Sequence, residues 1–450
     1  MHPLRRFLPA LASALLAVAA ALPPSVALAQ SVLELPGTPP TPNTSSRETQ
    51  AEPIAAEPGV AAEGWQRYLS LDHLPFIPIP EVSTSPHSGV NLGLFPVILL
   101  NNSKGEVDTI YAPDVVHSQY FGWGARWRTF RNVSDDEKWS LIVGGKQFVE
   151  REFDFEYDLG LQRADHWSWI MHAMYDRNGN GRFYGFGNNS RLGGQSTYIN
   201  AQMRVEMTAA RNFSRAWQLA YLVRADSAEI ETSALNSLPA TEALYPNLPG
   251  LGDASELHQR FLLSYDTRDD LVSPHVGERI VAFAGITTRA LGSSVDYTVY
   301  GLDLTHFEPL SPTLTLAAHA ALRFMPTYTN APFWAYSRLG GETNLVAESQ
   351  PLRAFGEGRF IDRNSFSSSI EARQMLRNLH MFDTDLKLEV APFVDAGRVF
   401  RDMMGNPLSS LHVGAGLGLR VHAGPFVVGY LDMAYGTEKM AIFTGIDYPF

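Results

Sequence analysis

The chain has 450 residues, no cysteine, 45% apolar and 11% aromatic residues, and a formal net charge of −12. The missing thiol excludes disulfides, zinc-thiolate centres, thiol catalysis and a lipid-anchored N-terminal cysteine, and the acidic balance disfavours nucleic acid as a partner. Beyond the N-terminal leader no run approaches the roughly 18 uninterrupted apolar residues of a membrane-spanning helix, so the choice lies between a soluble exported protein and a β-barrel.

Residues 1–29 read as a signal peptide: Arg5 and Arg6 precede an apolar run from Phe7 to Leu22, and Ala27-Leu28-Ala29 offers small residues for cleavage before Gln30. The mature chain then carries −14. Residues 30–70 are expected to form a disordered, Pro/Ala-rich periplasmic linker, with six prolines between 31 and 60 and no apolar periodicity. Residues 71–88 contain LPFIPIPEVSTSP, apolar but too rich in proline for a helix or a central strand, and are expected as a lead-in at a barrel mouth.

From residue 89 to 450, segments of about ten residues alternate apolar with polar and are punctuated by Gly, Pro, Asn and Asp, the pattern of a transmembrane barrel. Expected strands centre on residues 96, 124, 144, 156, 170, 203, 220, 262, 281, 299, 317, 371, 390, 415, 431 and 444. The expected fold is therefore all-β, a transmembrane β-barrel of about 16 antiparallel strands with a long lumenal loop between strands 11 and 12.

Three segments carry this reading. His412, Gly414, Gly416, Gly418 and Arg420 fall on one face and Val413, Ala415, Leu417, Leu419 and Val421 on the other. Asp385, Lys387, Glu389, Phe393 and Asp395 oppose Leu386, Leu388, Val390 and Val394, and Ser369, Glu371, Arg373 and Arg377 oppose Ile370, Ala372 and Leu376. Lipid outside and a polar lumen inside explain both faces, whereas a soluble sandwich would turn such charged rows to water.

Other motifs are weaker. Asp176 to Gly181 imitates the start of a calcium loop, but position twelve is Gly187 where a bidentate Glu is required, so a hairpin loop of turn formers is the better account. Gly414, Gly416 and Gly418 imitate a nucleotide fingerprint yet sit within a strand. The thirteen histidines form no His-x-x-x-His or His-Glu-x-x-His pair, and there is no Gly-x-Ser-x-Gly elbow. No catalytic site, cofactor or metal is expected.

The segment from Met325 to Ser365 is too long for a hairpin turn and holds LGGETNLVAESQPLRAFGEGRF. It resembles the sixth extracellular loop of the bacterial surface antigen family, the barrel shared by the outer-membrane protein assembly factor and two-partner-secretion transporters. There a (Val/Leu)-Arg-Gly-(Phe/Tyr) tip folds back into the lumen, and here the tip reads Leu352-Arg353-Ala354-Phe355. Glu371-Ala372-Arg373 and Pro392 to Gly397 (PFVDAG) follow in the family's order. Asp266, Arg268, Asp269, Pro274 and Gly277 in SYDTRDDLVSPHVGERI are similar to its strand-eight-to-nine hairpin, and GRFYGFGNNS, from Gly181 to Ser190, and GAGLGLRVHAGPF also resemble its patterns.

The resemblance implies a latch in which Arg353 meets Glu371 and Asp395, because a lumenal guanidinium is costly without carboxylates. Ala354 stands at the family's glycine, which argues against a positive φ there and for a looser latch. Ile446, Tyr448 and Phe450 alternate up to a terminal aromatic carboxylate, resembling the C-terminal signal by which such barrels are recognised for assembly. The implied role is outer-membrane protein insertion, assembly or polypeptide translocation in a Gram-negative envelope; the alternative is a passive channel or structural surface antigen with a loop-constricted lumen. Implied partners are outer-membrane lipid and lipopolysaccharide, the barrel assembly machinery acting on the C-terminal strand, and client polypeptides. Polypeptide-transport-associated domains are not recognisable before the barrel.

Overall fold

The computed structural model describes residues 77–85, 89–101, 107–232, 238–271, 273–341, 349–381, 384–402, 406–423, 426–438 and 440–445. The signal peptide, the linker and the C-terminal residues Ile446, Tyr448 and Phe450 lie outside the described residues.

The first half of the chain forms β1 (Ile77–Ser85), β2 (Gly89–Asn101), β3 (Val107–Tyr111), β4 (Asp114–Ser118), β5 (Gly122–Ser134), β6 (Glu137–Lys146), β7 (Arg151–Leu159), β8 (Trp167–Phe183), β9 (Ser196–Asn212) and β10 (Trp217–Thr232). Then come β11 (Gly252–Asp266), β12 (Gly277–Thr287), β13 (Tyr297–Ser311) and β14 (Leu314–Thr327), followed by three short strands, β15 (Ser337–Leu339), β16 (Ser349–Gln350) and β17 (Phe360–Asp362). The chain continues through β18 (Asn364–Met381), β19 (Thr384–Phe400), β20 (His412–Ala423), β21 (Phe426–Tyr435) and β22 (Met440–Gly445).

All but β15, β16 and β17 belong to one sheet of 19 strands, and β1 pairs with both β2 and β22, so the sheet closes on itself. Closure removes the edges that would otherwise leave backbone groups unsatisfied in lipid. Because β3 and β4 both lie between β2 and β5, they are two pieces of one stave. The described residues thus hold eighteen staves. The sixteen expected centres fall in β2, β5 to β14 and β18 to β22; β1 and the β3/β4 stave are additions, and the long loop lies between the thirteenth and fourteenth staves instead of the eleventh and twelfth.

The lead-in expected over residues 71–88 is corrected, since Ile77–Ser85 is a barrel strand despite its prolines. Pro78 is opposite Pro96, a pair that cannot exchange N–H···O bonds, so the donors missing at Pro78 and Pro80 face away from β2. That side is the seam with β22, where the described partner pair is Thr84 with Ile442. The donor missing at Pro96 likewise falls where β2 passes between its β4 register, ending at Leu94, and its β3 register, starting at Ile98. Proline is tolerated in β2 because its missing donor meets a break in the ladder, and in β1 because the missing donors take nothing from the β1–β2 pairing. Asp176 to Gly181 is a second correction: it lies within β8, with a register shift between Asn178 and Gly181 absorbing the turn formers.

Exposure separates barrel from sandwich. Ile370, Val394 and Val413 are 55%, 49% and 49% exposed, while Glu371, Asp395 and Arg420 are 0% exposed. Apolar residues outside and charges inside are the arrangement of a strand between lipid and a crowded lumen. Leu386 departs from this, being buried with Phe95, Val97, Val107 and Ile110. Connections such as Ser134–Glu137 and Ser311–Leu314 are tight at one end, whereas Phe183–Ser196, Thr232–Gly252 and Thr327–Asn364 are long at the other. The long-loop end is the extracellular one by the rule for such barrels.

Candidate functional site

The loop between β14 and β18 turns back into the barrel. Within it β15 pairs in parallel with β16 and antiparallel with β17, and Gly341 pairs with Leu352, which holds the tip in a defined position. The Phe355 amide donates to the Leu352 carbonyl at 3.0 Å, closing a turn around Arg353 and Ala354. Leu352, Ala354 and Phe355 are buried with Leu339, Phe360, Phe393, Val399 and Ala434, so the tip is seated by apolar packing as well as by charge.

Arg353 is fully buried and all five of its guanidinium N–H groups can be assigned acceptors. Nε and Nη2 donate to the two oxygens of Asp395 at 2.9 and 2.8 Å, a forked geometry. Nη1 donates to Glu371 at 2.6 Å and to Asp432 at 2.9 Å, and Nη2 also reaches the Ser369 hydroxyl at 3.0 Å. The Arg353 backbone amide adds a bond to Asp395 at 3.0 Å. Four strand residues from β18, β19 and β21 therefore converge on one loop residue.

The carboxylates are tied further into the wall. Arg373 and Arg420 each donate to Glu371, at 2.9 and 3.1 Å, and Arg420 also donates to Glu389 at 3.1 Å. His422 stands 3.4 Å from Glu389. Such a network is expensive to break, because removing one member leaves its partners charged and desolvated.

The glycines of β20 make room for the tip. A Cβ on Gly414 would lie 2.2 Å from the Ala354 Cβ, and one on Gly416 would lie 2.3 Å from the Phe393 ring. Ala354 lies outside the positive-φ region. Its methyl is buried against Gly414 and Gly436.

The hairpin residues gather elsewhere, at the short-turn end between β11 and β12. Arg268 forks onto Asp266 at 3.0 and 2.9 Å, and Asp269 accepts from the amides of His275 and Val276 at 2.9 and 3.1 Å. Pro274 is buried, and Gly277 has φ +107° with a Cβ position 2.3 Å from the Thr267 carbonyl. These residues build a rigid turn and do not join the lumenal cluster.

Asp432, Phe393 and Arg420 belong to the site although the sequence reading did not name them as site residues. Asp432 had a visible signal, a lone carboxylate in the apolar segment FVVGYLDMAY.

Fold and site define a class: a closed transmembrane β-barrel whose lumen is occupied by its own returning loop, pinned by a buried arginine. The Omp85 superfamily domain matches residues 138–440, more than half of the chain, and the protein belongs to that superfamily. It is an outer-membrane β-barrel. No curated protein matches the sequence. Among solved structures, BamA from Haemophilus ducreyi lacking POTRA domains 1–3 is similar, with 12% identity, a TM-score of 0.48, and 78% of this chain and 74% of that chain covered. CdiB from Escherichia coli matches at 11% identity and a TM-score of 0.46, covering 84% of this chain and 63% of that one. CdiB from Acinetobacter baumannii matches at 11% identity and a TM-score of 0.42, with 82% and 59% covered, so the chain spans about three-fifths of the CdiB structures.

Proposed function

We propose that this barrel inserts client polypeptides into the outer membrane or passes them across it, with the seam between β1 and β22 as its working edge and the latched loop holding the lumen in its resting arrangement. The observation that carries this reading is the asymmetry of closure. Among the described residues, β21 and β22 pair from Tyr430 to Tyr435, whereas β22 meets β1 at the pair Thr84 and Ile442, and β1 carries two prolines, Pro78 and Pro80, that lack backbone donors. An under-paired edge in lipid is a template for a further strand. Barrel-assembly machinery, outer-membrane lipid and lipopolysaccharide are the proposed surroundings.

A passive channel is the competing role, and the buried loop in the lumen speaks against it. Depleting the protein and profiling the outer-membrane proteome separates the two. Selective loss of a set of outer-membrane or exported proteins supports the transport role. Unchanged protein content with altered uptake of small solutes contradicts it.

A further inference from the structure

The lumenal loop carries a second buried arginine, Arg359, six residues beyond the first and only 2% exposed. Its Nε donates to both oxygens of Glu438 at 2.8 and 3.0 Å, while Nη1 and Nη2 donate to the Ser190 hydroxyl and carbonyl, each at 2.8 Å. The guanidinium lies between two rings, 4.5 Å from the centroid of Tyr184 and 4.6 Å from that of Phe360. A planar group that donates from three nitrogens while stacked on aromatic faces suits arginine and not lysine. Three separate segments are thereby joined: the lumenal loop, the β8–β9 connection and the β21–β22 turn.

The position of Glu438 gives this contact its meaning, because it lies in the turn that leads directly into β22, the strand at the seam. Asp432, which holds Arg353 at 2.9 Å, lies on β21 of the same terminal hairpin. Gly436, in the turn, faces the Ala354 methyl. The loop therefore grips the terminal hairpin at three points. The GFGNNS segment meets Arg359 through Ser190 and ties it to another part of the wall, since the Asn188 side chain accepts from the Val399 amide at 3.1 Å and donates to the Ser410 carbonyl at 2.8 Å.

We infer that Arg359 is a second clasp, a positioning residue that couples the seating of the lumenal loop to the closure of the β1–β22 seam. The inference rests on the reading of the seam as the working edge, and extends it to how that edge is held shut. Displacing the terminal hairpin breaks the Arg359–Glu438 ion pair, and withdrawing the loop removes the same pair, so each movement favours the other; such coupling is reciprocal by linkage. Arg338 supplies the contrast. It is on the same loop and buried, but it donates to the Tyr198 hydroxyl at 3.3 and 3.4 Å, on the β9 side of the lumen.

The test uses the full chain, which has no native cysteine. Spin labels on Thr84→Cys and Ile442→Cys report the seam distance by pulsed electron resonance in the purified barrel. Arg359→Gln and Glu438→Gln should each raise the separated fraction about tenfold, equivalent to about 1.4 kcal/mol, and the double variant should rise no further. Arg338→Gln should leave the distances unchanged. Should Arg359→Gln fail to assemble, Glu438→Gln decides alone, since it leaves the stacked guanidinium in place. Unchanged distances in Glu438→Gln, strictly additive effects, or equal opening by Arg338→Gln would overturn the clasp. No client is present, so this outcome is independent of the proteome experiment that judges the transport role.

Discussion

The Arg353 guanidinium carbon lies 3.4 Å from the centroid of the Phe393 ring, two residues along β19 from the Asp395 carboxylate that grips it. One strand thus supplies both an aromatic face and a charge partner for a single loop residue. The pairing exploits the planarity of guanidinium, which can stack on one group while hydrogen-bonding in its plane to others. Arg353→Lys should therefore weaken the latch even though the charge is kept, seen as a lower unfolding temperature. Equal thermal resistance of Arg353→Lys and the parent protein would contradict the role given to the fork and ring.

Arg353→Ala leaves Glu371, Asp395 and Asp432 sharing fewer cations in a desolvated site. Breaking a buried pair from one side costs about 3–5 kcal/mol. Asp395→Asn should account for part of the same loss, so the two changes combined should fall short of their sum. The check is a double-mutant cycle on unfolding, and strict additivity would count against the network.

Gly414→Ala should push directly on the loop tip, because the added methyl meets the Ala354 Cβ at 2.2 Å. Overpacking of this kind costs about 1–3 kcal/mol. Ala354→Gly should recover much of that loss when combined with Gly414→Ala, and on its own should cost a little. Unfolding of the four proteins measures the compensation; no recovery in the double variant would show that the two methyls do not compete.

At the opposite end, Gly277→Ala should strain the β11–β12 turn, given φ +107° at Gly277 and the Thr267 carbonyl beside it. Burial raises the Asp269 pKa, but the amides of His275 and Val276 outweigh it and hold the carboxyl below its ordinary value. A depressed carboxyl contributes its stabilisation above the unfolded pKa and loses it as the pH falls through the folded one. Amide hydrogen exchange at His275 and Val276 should accelerate in Asp269→Asn at neutral pH, and lose that difference in acid.

Pro80→Ala restores a donor on the side of β1 that faces β22. Added pairing there should close the seam more firmly, seen as slower hydrogen exchange along β22. Unchanged exchange would mean that proline does not limit this edge.

The sequence made much of this architecture readable because alternation is local. Glu371 and Asp395 could be assigned to the lumen from their neighbours Ile370 and Val394 alone, and a period of two leaves no freedom once one residue is placed. What it concealed depended on partners far along the chain. The strand Ile77–Ser85 looked unsuitable because its prolines are acceptable only where their missing donors face away from the partner, and that depends on the register with β2. The β3/β4 stave is short and interrupted at Pro113, so neither piece reaches the length that shows a pattern. Asp432 stood out only as a lone carboxylate in an apolar strand and Glu438 not at all, because their significance lies in the arginines that reach them from a loop 79 residues earlier. The setting of Ala354 was hidden for a similar reason: the space for its methyl is made by Gly414 on another strand.

The account turns on a seam that must open. Thr84→Cys with Ile442→Cys places the chain's only two cysteines at its described register pair, and oxidation in living cells, followed by reduction, makes the seam reversibly locked. The measurement is the outer-membrane proteome of cells that depend on this variant. Locking should deplete the same client set as removal of the protein, and reductant should restore it. A locked barrel that maintains the full client set would contradict the seam as the working edge.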